Sequence, residues 1–256
     1  MLALDHRGSF QRLAGLDKTR DELIEFKKEI ILPLLREVSG LLIDNDYGLP
    51  AYKEVSEELD LQKSFLMPLE GSGYRQEEGR VAQVKYSAEY LKDQGASGAK
   101  LLIYLHPQYQ LAFKEQLEII EEVLGDCEKN DLPLFLEILT YGEDHKKLIL
   151  PVLERIIEKK IRPAVFKLEY PGSIEDCQKI TDLLKPTPWV LLSRGIVSFE
   201  EFQGQLDQAV LSGASGFLVG RALWQEVFEY QGKKRKEFLG EELITRFLKI
   251  SNIMKL

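Results

Sequence analysis

Cysteine is nearly absent from this chain of 256 residues: there are two, Cys127 and Cys177, both in helix-like contexts. Two cysteines cannot make a disulfide framework, so a reducing compartment is expected and both thiols read as packing residues. Histidine is as scarce. His6, His106 and His145 show no HxH or HxxxH spacing, which argues against a zinc site and for loop and helix-cap roles. No segment approaches the roughly 20 apolar residues of a membrane span, and the apolar run in MLALDHRGSF is too short for a secretory leader. Positive charge is in deficit too. With 34 Lys and Arg against 42 Asp and Glu, the net charge of -8 disfavours general attraction to nucleic acid or anionic membrane, so any anionic ligand must be held locally. The basic run Lys233, Lys234, Arg235, Lys236 reads as a solvated turn before the last helix rather than a nucleic-acid patch. There is no Pro/Gly/Ser-rich linker. A single domain over residues 1–256 is expected, cytoplasmic, with no nucleic-acid or membrane partner.

What the chain does have is alternation. Short apolar runs at 2–5, 41–44, 65–69, 99–105, 133–139, 164–170, 189–193 and 216–220 read as eight strands. Helical patterns follow at about 18–39, 51–59, 76–94, 108–130, 145–160, 173–184, 198–212 and 222–229, with a last one at 236–252. Strands alternating with helices imply parallel pairing through right-handed crossovers, and eight such units in this length predict α/β architecture, a single (β/α)8 TIM barrel. The competing open sheet rests on Gly71 and Gly73 in EGSGYRQEEG, but the third glycine of a dinucleotide fingerprint is replaced by Gln76. A tight turn entering a helix explains the two glycines as well.

Within AVFKLEYP, residues 164–171, one cation stands in an apolar strand. Lysine is almost never fully buried without a partner or a task. Lys100, Glu137 and Lys167 lie on three successive strands, so they can converge. A salt bridge to Glu137 or Glu169 is the bland reading of Lys167. The chemical reading is that apolar surroundings and a neighbouring cation favour the free amine, which attacks a carbonyl to form a Schiff base, while Glu137 serves as acid and base. Other polar residues also fall at strand ends: Asp5, His6 and Arg7; Asp44 and Asp46; Glu70; Ser193 and Arg194; Arg221. The seventh and eighth strands are followed by LLSRG and LVGRALWQ, each with a small residue and an arginine just before a helix. Barrels often bind phosphate there. Ser193, Gly195, Gly220 and Arg221 are the phosphate candidates.

Seven segments, LALDHRGSF (2–10), YGLPA (47–51), GAKLLIYL (98–105), FLEILTY (135–141), FKLEYP (166–171), LSRG (192–195) and VGRALWQ (219–225), together resemble the class I aldolases related to tagatose-1,6-bisphosphate aldolase, with relatives acting on sulfofructose 1-phosphate. LALDHRGSF with MPLEGSG (67–73) also resembles the aldolase-like domain associated with 5-dehydro-2-deoxygluconate 6-phosphate. The resemblance implies a TIM-barrel lyase that splits a phosphorylated ketose into dihydroxyacetone phosphate and an aldehyde, with no metal and no cofactor. It puts Lys167 at the Schiff base, Glu137 at the acid/base position, and Lys100 and Asp5 on the substrate's oxygens. Ser193, Gly220 and Arg221 match the ketone-side phosphate site, with Arg194, Gly195, His6 and Arg7 as further substrate contacts. His6 stands where the family has glutamine, and Arg194 where it has alanine. Weighed against catalysis are a sugar-phosphate-sensing barrel and a decarboxylase or epimerase that uses lysine without an imine. The amphipathic tail bearing Phe238, Leu239, Leu243, Phe247 and Leu248 is expected to cover the barrel's outside or to form a homo-oligomer interface.

Overall fold

The computed structural model describes residues 1–195 and 197–255, and for Glu77 the backbone alone. In chain order the elements are β1 (Leu2–Leu4), α1 (Gly8–Ala14), α2 (Arg20–Leu34), β2 (Leu41–Ile43), α3 (Gly48–Leu59), β3 (Phe65–Pro68), β4 (Arg75–Glu77), β5 (Gly79–Val81), α4 (Ala88–Asp93), β6 (Gly98–Leu105) and α5 (Gln110–Lys129). They continue with β7 (Leu134–Thr140), α6 (His145–Glu158), β8 (Val165–Leu168), α7 (Ile174–Leu184), β9 (Trp189–Leu192), α8 (Phe199–Leu211), β10 (Gly216–Leu218), α9 (Arg221–Trp224), α10 (Gly232–Glu237) and α11 (Leu243–Ile253). Eight strands form one sheet in the order β1-β2-β3-β6-β7-β8-β9-β10, with β4 and β5 a separate antiparallel pair. Sequential order with helical crossovers is the (β/α)8 arrangement. Among the described residues no helix is long and apolar enough to cross a membrane.

The chain divides into two compact units. The first comprises Met1–Phe65, Ser193–Gly204 and Leu218–Leu256. Here β1 runs parallel to β2, and Leu2 bridges Val219 on its other side. Thr19 opens α2 with a capping box: its hydroxyl accepts from the Glu22 N–H while the Glu22 carboxylate accepts from the Thr19 N–H. Such a cap contributes about 1 kcal/mol. The tail folds back on its own chain, with Phe238, Leu243, Phe247, Ile250 and Ile253 buried and α11 packed on α2 and α9. The basic run is helical rather than a turn. It forms α10, where Arg235 donates to the Val227 carbonyl, pairs with Glu29 and lies over the Phe26 ring.

The second unit comprises Leu66–Leu192 and Gln205–Phe217. Parallel pairing runs β3-β6-β7-β8-β9. Side chains alternate along each strand. On β6, Leu101, Ile103 and Leu105 are fully buried on the face opposite Lys100, and on β7, Leu136 and Ile138 are buried opposite Glu137. Helices α5 and α6 pack on β6 and β7 through apolar stripes that include Leu117, Ile120, Val152 and Ile156.

The helix expected over 76–94 does not form. Residues 75–81 make the β4-β5 hairpin, and only Ala88–Asp93 is helical. Gly79 explains the difference. It sits at φ +106°, and a Cβ there would lie 2.8 Å from the Ala112 Cβ and 2.9 Å from the Tyr109 Cβ on and beside α5. The chain reverses tightly against that helix, and tertiary packing overrides the helix-favouring RQEEGR composition.

Candidate active site

In the second unit, strand register brings the predicted residues together. Glu137 of β7 and Lys167 of β8 are Cα partners, and Lys100 of β6 lies level with Phe135, two residues below Glu137. The longer reach of lysine closes that interval. Lys167 Nζ donates to Glu137 Oε2 at 2.8 Å, and Lys100 Nζ stands 3.1 Å from the same oxygen. Lys100 also donates to Glu70 Oε1 at 2.6 Å, while Glu70 Oε2 accepts the Leu102 backbone N–H at 3.1 Å. All four side chains are buried. Two cations facing two carboxylates is a balanced arrangement, which desolvated charges require.

Glu70 is thus the member that sequence reading noted at a strand end but did not assign. Its partner became visible only through the β3-β6 register, in which Pro68 is level with Lys100. Of the two carboxylates weighed as partners of Lys167, Glu137 is the one bonded to it. Glu169 accepts from the Thr140 N–H at 2.9 Å and the Thr140 hydroxyl at 2.6 Å, fixing the chain where β7 ends.

In the first unit, the loop after β1 carries Asp5, His6 and Arg7. Asp5 Oδ1 lies 3.8 Å from His6 Nδ1, beyond hydrogen-bond length. The His6 ring meets Trp224 edge-on with centroids 5.3 Å apart. Arg7 immediately precedes α1, its carbonyl accepting from the Gln11 N–H. Beneath this loop lies Lys27, which sequence reading missed. It is fully buried and donates to the carbonyls of Leu4 at 2.7 Å and His6 at 2.9 Å, and to the Asp44 carboxylate. Burial lowers the Lys27 pKa, and the Asp44 carboxylate works against that shift. Asp44 in turn accepts from the backbone N–H groups of Asp46, Tyr47 and Gly48. The overlooked signal was a lysine in line with Leu23, Ile30, Ile31 and Leu34, the buried stripe of α2.

The phosphate candidates share the same unit. The Gly220 N–H donates to the Ser193 hydroxyl at 2.8 Å, joining the ends of the two predicted loops. Gly195 lies flat against Arg221, where a Cβ would come 2.0 Å from the guanidinium Cζ. Only glycine admits that approach. Arg194 stands between Ser193 and Gly195, half-buried. Among the described residues, no three His, Cys, Asp or Glu side chains are grouped as a metal ion requires. The cysteines are buried in α5 and α7, their thiols pushed up to about 12 by burial.

Eight strands in sequential order, joined by helical crossovers, define the (β/α)8 class of fold, which solved structures share. An archaeal fructose-1,6-bisphosphate aldolase, whose catalytic lysine was captured as a carbinolamine, superposes with a TM-score of 0.67 at 17% identity, over 99% of this chain and 93% of that one. That likeness establishes the (β/α)8 fold. Residues 1–226 match the DeoC/LacD family of aldolases, and the chain belongs to that family. Tagatose 1,6-diphosphate aldolase 1 of Streptococcus mutans is 31% identical, covering 87% of this chain and 79% of its own length. The tagatose 1,6-diphosphate aldolase of Staphylococcus haemolyticus is 30% identical, with coverages of 91% and 83%. The protein is accordingly a carbon-carbon lyase of the aldolase type.

Proposed function

We propose that this chain is a class I aldolase that cleaves a phosphorylated ketose of the tagatose 1,6-bisphosphate kind into dihydroxyacetone phosphate and an aldehyde. The observation that carries this reading is the buried pair of Lys167 Nζ and Glu137 Oε2, 2.8 Å apart on neighbouring strands. Transfer of a proton along that bond leaves Lys167 as a free amine. The amine adds to the ketone carbon, and Glu137 returns the proton to the departing oxygen, so that loss of water gives a protonated imine and restores the carboxylate. Glu137 then takes the proton of the hydroxyl on the far carbon of the bond to be broken. As that oxygen becomes a carbonyl, the carbon-carbon electron pair moves into the imine as an enamine. Reprotonation and hydrolysis release dihydroxyacetone phosphate and restore the amine. Lys100 is assigned to donate to a substrate oxygen, a reading supported by its being held between Glu70 and Glu137, and Asp5 is assigned a second substrate oxygen from its motif.

The ketone-side phosphate is assigned to Ser193, Gly220 and Arg221, supported by the Ser193–Gly220 bond and the close seat of Arg221 on Gly195. Arg194, His6 and Arg7 are assigned as further substrate contacts. A phosphorylated substrate and buried free thiols support a cytoplasmic setting. The test is borohydride reduction with dihydroxyacetone phosphate, which should leave a stable adduct on the peptide containing Lys167. Release of dihydroxyacetone phosphate from tagatose 1,6-bisphosphate should accompany it. An unmodified Lys167 peptide overturns the imine.

A further inference from the structure

Arg80, on β5 of the hairpin that replaces the expected helix, has surroundings the reaction above does not use. Its guanidinium carbon lies 4.5 Å from the Tyr141 ring centroid, 4.8 Å from Tyr74 and 5.5 Å from Tyr104. Its Nε is buried and has no hydrogen-bond partner among the described residues, and no described carboxylate forms an ion pair with it. The two buried lysines of this unit are balanced by carboxylates, whereas among the described residues this cation is held by ring faces. Such rings stabilise a guanidinium without occupying its N–H groups, which remain in plane for an oxyanion.

The position of Arg80 is built. The fully buried Gln116 of α5 donates to the carbonyls of both Arg80 and Tyr104, each at 2.9 Å, and accepts from the Ala82 N–H. The Arg80 N–H donates to the Tyr141 hydroxyl at 3.2 Å, and Gly79 turns the chain against α5. Burial raises the pKa of the Tyr104 and Tyr141 phenols, so they remain neutral.

The cage also stands in line with the reacting groups. Tyr104 follows Lys100 by four residues along β6, so the two share a face, and Tyr141 stands next after Thr140, where β7 ends. Four residues of strand rise about 13 Å toward the C-terminal ends. That interval suits a six-carbon chain with a terminal anion, given side chains reaching in from both sides.

We propose that Arg80, caged by Tyr74, Tyr104 and Tyr141, binds a phosphate on the aldehyde half of the substrate and so selects aldehydes that carry one. This rests on the aldolase reading above. It is tested in the condensation direction, with dihydroxyacetone phosphate and either glyceraldehyde 3-phosphate or unphosphorylated glyceraldehyde. Arg80→Gln should raise KM for glyceraldehyde 3-phosphate about thirtyfold, the scale of lost charged hydrogen bonds. KM for glyceraldehyde should stay within about twofold, because no anion is lost there. Arg80→Lys should recover only part of the loss, keeping charge without the planar fork. Equal losses on both aldehydes, or none on either, overturn the proposal.

Borohydride trapping with dihydroxyacetone phosphate should match wild type in Arg80→Gln. Failure of trapping in wild type strikes the aldolase reading instead. The anion site is then decided separately by phenylglyoxal modification of wild type, read at the Arg80 peptide. Protection by inorganic phosphate supports it, and unchanged modification overturns it.

Discussion

Lys167 and Glu137 are Cα partners across β7 and β8, and one carboxylate oxygen of Glu137 lies within 3.1 Å of two lysine nitrogens. Sharing one acceptor ties the positions of all three side chains together. Removal of any one must therefore alter the others.

The first consequence concerns Lys167→Met. The variant is expected to give no borohydride adduct with dihydroxyacetone phosphate and no cleavage above background. Methionine fills a similar volume in the apolar strand, so circular dichroism should match wild type. An adduct of undiminished yield would place the imine on another amine, with Lys100 the first to examine by peptide mass.

Glu137→Gln separates bond formation from bond cleavage. Trapping should persist, while cleavage turnover falls about 10²–10⁴-fold, the range general acid-base groups supply. The variant also takes a carboxylate away from two buried lysines, so a loss of about 3–5 kcal/mol in urea unfolding is expected. Normal turnover would remove Glu137 from the acid/base role.

Lys27→Met tests the support beneath the β1 loop. Asp44 would be left buried without its cation, at a cost of about 3–5 kcal/mol. Backbone amides of Asp5, His6 and Arg7 should exchange faster, because the carbonyls of Leu4 and His6 lose their donor. Unchanged exchange would show that the loop holds itself.

Gly195→Ala would place a methyl group on Arg221. The guanidinium must move, and the dihydroxyacetone phosphate concentration for half-maximal trapping should rise about tenfold, as expected when a charge-assisted contact is lost. The far-end aldehyde KM should be unaffected. No change in the trapping curve would detach Arg221 from the phosphate.

Thiol chemistry offers a control. With Cys127 and Cys177 buried and their thiols near 12, iodoacetamide at neutral pH should label neither in the folded protein and both in urea, with aldolase activity retained. Rapid labelling of the native enzyme would contradict the burial of α5 and α7.

The eight strands were legible because strands of a parallel barrel are buried on both faces and read as apolar runs between turn signals. Lys167 was legible for the same reason, as a charge in such a run. The hairpin was not, since its polar residues favour a helix and only the closeness of Gly79 to α5 reveals the turn. Lys27 and Gln116 were missed because functional residues were sought at strand ends, whereas both sit in the buried stripes of the helices α2 and α5. Glu70 needed register, which no single strand carries. The two glycine-and-arginine loops were seen, but not that Gly195 lies against the arginine of the other loop.

The bonds from Gln116 to Arg80, Ala82 and Tyr104 make the hairpin and α5 a single cassette. Anyone transplanting residues 71–86 into a relative to redirect its choice of aldehyde would have to carry Tyr109, Ala112 and Gln116 along. Moved alone, the insert would arrive without its anchor, and its arginine would point nowhere in particular.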